Sequence, residues 1–278
     1  MIKPAFLLLS ESIWRNVLLV ICIISLANVV YAQKYTVGFR VGGTLNWASF
    51  RDKDQKDTFA VRPSKGFTIG ALVGFPLKNN YNVIIEGGFS QKSRTIKDDL
   101  LQNRSTYKFV DGSLLLRKSY KVGLGKDIPG EWFVNIGPEV SYWLSGKGYF
   151  TSVERGGPKY PYQIEFNKVP DGDLKYLYYN GTNKLFFGIV LGVGLKAPLK
   201  NNTSIRTELR FVSGHTNFGQ NKYQYPPREW YSAILNFNDT LRMNMKLISL
   251  SVAYTFDFDK VESLKGRSTL KKKLKKSR

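Results

Sequence analysis

Between Asn183 and Asn202, apolar residues fall on every second position: Leu185, Phe187, Ile189, Leu191, Val193 and Leu195. The positions between them include Gly188, Gly192, Gly194 and Lys196, so the opposite face is small or polar. Strict period two predicts a strand, and this division of faces predicts one whose apolar side meets lipid. Pro198-Leu199-Lys200-Asn201-Asn202 then reads as a tight turn, and Pro76-Leu77-Lys78-Asn79-Asn80 repeats it 122 positions earlier. Glu86 and Glu208 each follow the second Asn of their turn by six positions. Two hairpins of one design, half a chain apart, predict one closed sheet.

The same alternation predicts eight strands, at 34–47, 65–76, 81–96, 105–122, 131–149, the stretch just described, 203–217 and 241–257. Tyr35, Val37, Phe39, Val41, Leu45 and Trp47 share one face of the first. In the fifth, Trp132, Val134, Ile136, Val140, Tyr142 and Leu144 point outward. Leu114-Leu115-Leu116 blurs the phase of the fourth. The eighth changes phase between Met243-Met245-Leu247 and Ile248-Leu250-Val252, which predicts a β-bulge near Leu247-Ile248.

Connections alternate in length. Short ones follow strands two, four and six, at 78–80, 123–130 and 200–202; long ones are expected at 48–64, 97–104, 150–182 and 218–240. Outer-membrane barrels have short periplasmic turns and long external loops, so both termini are expected in the periplasm. Interfacial aromatics fit that depth: Tyr35, Tyr81, Trp132, Tyr254 and Phe256 at the periplasmic rim, Trp47, Phe67, Phe89 and Tyr142 at the outer one.

Composition sharpens this picture at three points. A mean hydropathy of −0.26 and 23% charged residues exclude a bundle of membrane helices but not a barrel. Residues 1–32 read as a secretory signal, with Lys3 and Arg15, an apolar core from Val17 to Ala27 and a cleavage site at Val30-Tyr31-Ala32. An uncleaved anchor is the other reading of that segment. The one cysteine, Cys22, lies inside it, so the exported chain has no disulfide or cysteine-bound metal. The net charge of +21 is uneven: eight basic residues and no acidic ones lie between Lys265 and Arg278. In an exported membrane protein this placement argues against nucleic acid as a partner.

Charge also marks candidate sites. Arg40, Glu86, Glu139, Arg206, Glu208 and Arg210 all fall on lumen-facing positions. An eight-stranded barrel has room only for side chains, so these are expected to pair as a salt-bridge plug. The only histidine, His215, sits at the end of strand seven and resembles the His-x-Ser-Asn arrangement of outer-membrane lipid A deacylases. Thr216-Asn217 follow it with no Ser two positions on, which removes the nucleophile. Lys265, Arg267, Lys271, Lys272, Lys273, Lys275, Lys276 and Arg278 form a basic tail. Such a tail suits anionic partners: lipid headgroups, cell-wall polymers, or an acidic periplasmic or secretion-system protein. No metal signature, phosphate loop or nucleotide fingerprint is present, and no cofactor is expected.

Several segments resemble the PorT-like outer-membrane β-barrel proteins of Bacteroidota. They are Val37 to Asn46, Gly66 to Ala71, Glu86 to Lys92, Val134 to Tyr142, Glu208 to Phe211 and Leu250 to Phe256. The resemblance implies a non-enzymatic barrel, and some members of that family serve type IX protein secretion. The expected organisation is a signal peptide at 1–32, an all-β, eight-stranded antiparallel meander barrel at 33–258 and a basic periplasmic tail at 259–278. A lipid A-modifying enzyme using His215, a small-solute pore and a soluble periplasmic β-protein are the competing expectations.

Overall fold

The computed structural model describes residues 34–50, 53–97, 101–123, 129–152, 159–168, 175–179, 182–216 and 243–259. The signal segment, the 218–240 connection, Leu241 and the basic tail lie outside the described residues.

Eleven strands form one sheet: β1 (Lys34–Phe50), β2 (Ala60–Arg62), β3 (Ser64–Pro76), β4 (Tyr81–Lys97), β5 (Leu101–Gly123), β6 (Pro129–Ser152), β7 (Lys159–Phe166), β8 (Tyr176–Tyr179), β9 (Leu185–Pro198), β10 (Thr203–Gly214) and β11 (Met243–Asp259). Eight of them close a ring in the order β1-β3-β4-β5-β6-β9-β10-β11, with β11 back against β1. Ring neighbours follow one another along the chain apart from short inserted strands, so the barrel is an antiparallel meander. Strand ends Lys34-Tyr35 and Phe258-Asp259 form a small unit of their own, in which the Tyr35 and Phe258 rings stack at 5.0 Å and Lys34 pairs with Asp259 at 2.9 Å.

Alternation sets which face is which. Leu185, Phe187, Ile189, Leu191, Val193 and Leu195 are all exposed, as are Ile248, Leu250, Val252, Tyr254 and Phe256 on β11. A continuous band of exposed apolar side chains is stable only in lipid. The opposite face is buried and polar, with Ser204, Thr255, Asn135 and Ser251 among its members. Leu115 is fully buried while Leu116 is exposed, so the alternation of β5 passes through the Leu114-Leu115-Leu116 run intact.

Several expectations are corrected. No bulge interrupts β11 near Leu247-Ile248: its register with β10 runs unbroken from Thr203↔Phe256 to Ser213↔Lys246. Met243 and Leu247 stay on the inward face with Ser249, Ser251 and Ala253, because the barrel interior turns apolar at that end. The bulge instead lies where Lys108 pairs Ser145 and Phe109 pairs Trp143, leaving Leu144 of β6 as the extra residue. The connection expected at 97–104 is shorter, since β4 and β5 pair as far as Lys97↔Gln102. Thr95 and Ile96, on opposite faces, are both buried there, and a strand covered on both faces loses its alternation. Strand seven ends at Gly214 instead of 217, and the expected loops 48–64 and 150–182 carry structure: α1 (Lys53–Thr58) and β2 in the first, β7 and β8 in the second.

These additions extend the sheet on the side away from the Pro76–Asn80 and Pro198–Asn202 turns. β2 pairs with the end of β4, β7 with the end of β6, and β8 runs parallel to β7. Beneath them lies an aromatic cluster centred on Trp143, which meets Tyr107, Phe166, Tyr179 and Phe186 edge-on with centroids 4.8–6.1 Å apart.

At the other end, the two repeated turns adopt one geometry. Asn79 and Asn80 have φ of 58° and 62°, and Asn201 and Asn202 have 60° and 56°. Leu77 N–H donates to Tyr81 O at 2.7 Å and Leu199 N–H to Thr203 O at 2.8 Å. Asn tolerates the left-handed region better than residues without a short polar side chain. Replacing Asn201 and Asn202 by Ala is therefore expected to cost about 1 kcal/mol each, and replacing both by Gly far less. Urea midpoints of the refolded barrel measure the difference.

Candidate functional site in the barrel lumen

The β3–β4 and β9–β10 hairpins lie four strands apart in a ring of eight, on opposite walls. Glu86 and Glu208, placed at equal offsets from identical turns, therefore face each other across the lumen. Arg210 joins them. Its Nη1 and Nη2 donate to the two Glu86 oxygens at 2.6 and 2.7 Å, while Nε and Nη2 donate to Glu208 at 2.5 and 3.0 Å. All three side chains are buried. A guanidinium held by two bidentate carboxylates is among the strongest polar arrangements available to a protein.

Two further arginines complete this layer. Arg40 from β1 reaches Glu86 at 3.3 Å, and Arg117 from β5 reaches Glu208 at 3.6 Å. Arg117 also donates to Asn135 Oδ1 at 2.8 Å and lies 3.9 Å from the centre of the Phe133 ring. Asn135 in turn donates to Glu208 at 2.8 Å. Gly192 makes the room: a Cβ there would sit 2.5 Å from Glu208 Oε1.

Glu139 belongs to a separate cluster. Lys92 donates to Glu139 and Asp111 at 3.2 Å each and to Ser141 at 3.0 Å. Three arginines with two carboxylates carry +1, and one lysine with two carboxylates carries −1, so the two clusters balance. Between this layer and the aromatic cluster remains a cavity of about 40 Å³, lined by Lys92, Glu139, Phe186, Val212 and Met245 among others. That is room for about one water.

Of the six lumen residues read from the sequence, Arg40, Glu86, Glu208 and Arg210 come together and Glu139 joins Lys92. Arg206 stands apart: it is buried, and its Nε and Nη1 have no hydrogen-bond acceptor. It lies beside Lys196, which pairs with Asp257 at 3.1 Å. Arg117, Asp111 and Asn135 are members that sequence reasoning missed. For Asp111 and Arg117 the available signal was their shared parity with Ser113 and Ser119 on β5, hidden by the leucine run; for Asn135 it was the parity it shares with Glu139 on β6. The His215 side chain is exposed and makes no hydrogen bond or ion pair among the described residues; its backbone N–H donates to Phe187 O at 2.8 Å. Among the described residues, no group of three His, Cys, Asp or Glu could hold a metal.

Residues 31–199 match the family model described as an outer membrane protein beta-barrel domain. No curated protein matches the chain. Among solved structures, OprG of Pseudomonas aeruginosa is 7% identical, with 81% of this chain and 95% of that one covered and a TM-score of 0.40. Neisserial surface protein A is 11% identical, with 81% and 97% covered and a TM-score of 0.37. Ail of Yersinia pestis is 9% identical, with 81% and 99% covered and a TM-score of 0.33.

Proposed function

Because the chain belongs to the outer membrane protein beta-barrel domain family, we propose that it is a sealed, non-conducting barrel that anchors an interaction surface in the outer membrane. The observation carrying this reading is Arg210, which crosses the lumen from β10 to Glu86 on β4. A solute path would have to break that charge pair and then pass the Trp143 cluster. Between the two barriers lies the small cavity lined by Lys92 and Glu139, with a volume of about 40 Å³.

The anchor is of the PorT-like kind and serves the cell envelope, with type IX protein secretion as the process it assists. Both termini face the periplasm in this reading, which the tight Asn-Asn turns at their end of the barrel support. The basic tail then meets an acidic periplasmic protein or cell-wall polymer, and the β7–β8 extension faces outward. The exposed, unpartnered His215 gives a lipid A deacylase reading no support.

Planar bilayers test the central statement. The purified protein is expected to produce no stepwise conductance, and steady channels from the native protein would overturn the sealed-barrel reading. Arg210→Ala tests the same seal from the other side: paired with Trp143→Ala it is expected to introduce a leak.

A further inference from the structure

Beyond the lumen, one sector of the outer wall carries an unbalanced charge. Arg104 and Lys108 on β5, Lys147 on β6 and Lys159 on β7 are all exposed. They face outward, since their neighbours Asn103, Ser105, Tyr107 and Phe109 fill the interior. Thr106 pairs with Lys147 and Arg104 with Tyr149, which puts Lys147 diagonally across from both Arg104 and Lys108, about 7–8 Å from each. Lys159 lies over the Tyr149 ring at 5.5 Å. Among the described residues of β4 to β7, the only outward carboxylate is Glu165, which pairs with Lys168. Like charges gathered this closely repel unless an anion meets them.

Their depth says which anion. Val110 and Tyr142 pair directly, and with Leu144 they end the exposed apolar band of this wall. Lys108 lies two residues beyond Val110, about 5 Å along the axis of a barrel whose strands tilt by about 40°. Lys147 lies slightly higher, and Arg104 and Lys159 higher still. That is where acyl chains give way to headgroups.

We propose that this sector is a binding site for a phosphorylated glycolipid of the outer leaflet. Its phosphates meet Lys108, Lys147 and Arg104, and its acyl chains lie along Val110, Tyr142 and Leu144. The proposal rests on the orientation given above, with the β7–β8 extension outside the cell.

The test titrates the detergent-solubilised full chain with diphosphoryl lipid A and with the same lipid stripped of phosphate, followed by native mass spectrometry. The phosphorylated form is expected to bind more tightly, and increasingly so at low salt. The triple variant Arg104→Gln, Lys108→Gln, Lys147→Gln is expected to lose on the order of 100-fold of that affinity. Lys118→Gln, at the opposite rim, is expected to keep it. Arg104, Lys108 and Lys147 are exposed and Lys118 is half-buried at the rim, so the heat-modifiable folded form should survive in every variant. Equal affinity for the two lipids, or an unchanged triple variant, overturns the site. A Lys147→Cys variant labelled on intact cells with a membrane-impermeant maleimide separates the two failures. If the introduced thiol is labelled while the lipid result is negative, the lipid site alone is wrong. An unlabelled thiol overturns the orientation and the lipid assignment with it.

Discussion

Arg210→Ala is expected to unfold on the order of 10 °C below the native barrel, a loss of about 3–5 kcal/mol. The size follows from what remains, not from what is removed. Four hydrogen bonds disappear, and Glu86 and Glu208 are left buried on facing walls. Arg40 and Arg117 reach them only at 3.3 and 3.6 Å, each holding one carboxylate and neither joining the two. A buried charge that loses its partner costs far more than a surface one, because its desolvation is no longer offset. Adding Glu86→Gln to Arg210→Ala should recover part of the loss, since one stranded charge is then gone. The readout is the temperature at which the compact gel band gives way to the extended one. If that temperature is unchanged in Arg210→Ala, the guanidinium is not what joins the two walls.

The same residues mark how far the sequence could be read. Strand number and ring closure were legible because only lipid on one side and packed polar groups on the other produce an apolar row such as Leu185 to Leu195. The lumen face was legible for the same reason, and the equal offsets of Glu86 and Glu208 pointed to matched depths. Pairing was not legible. Which carboxylate meets which arginine depends on how strands are staggered around the ring, and alternation carries no information about stagger. Arg210 meets Glu86, 124 positions away on a wall that no local pattern relates to its own. Glu139 was grouped with the arginines because it shares their face, yet its depth places it with Lys92. The extension built from β2, β7 and β8 was hidden for a different reason. Its strands are short, and Trp143, Tyr162 and Ile164 pack there as a soluble core would, without a lipid-facing row to declare them.

Gly137→Ala is expected to abolish the heat-modifiable form altogether, although it adds one carbon. Pro138 beside it has no N–H to give the ladder, and the β5–β6 pairing breaks off between Ser113↔Glu139 and Leu116↔Ile136, with the register unchanged across the gap. β5 leans into that gap. A Cβ on Gly137 would lie 2.0 Å from Leu114 O and 3.0 Å from Leu115 Cα, and both contacts are to backbone. No rotamer change relieves a clash with main chain, so β5 and β6 would have to separate beside the fully buried Leu115. In a closed ring, one displaced strand shifts its neighbours as well. Gly43 and Gly87 supply the controls, since a Cβ at either would meet nothing within 4 Å. Ala at those lipid-facing positions is expected to be neutral or to stabilise by about 0.5–1 kcal/mol, by restricting the unfolded chain. Matched refolding trials compare the three variants, scored by the yield of the compact band. Gly137→Ala refolding as well as Gly87→Ala would mean that β5 does not crowd β6 at this point.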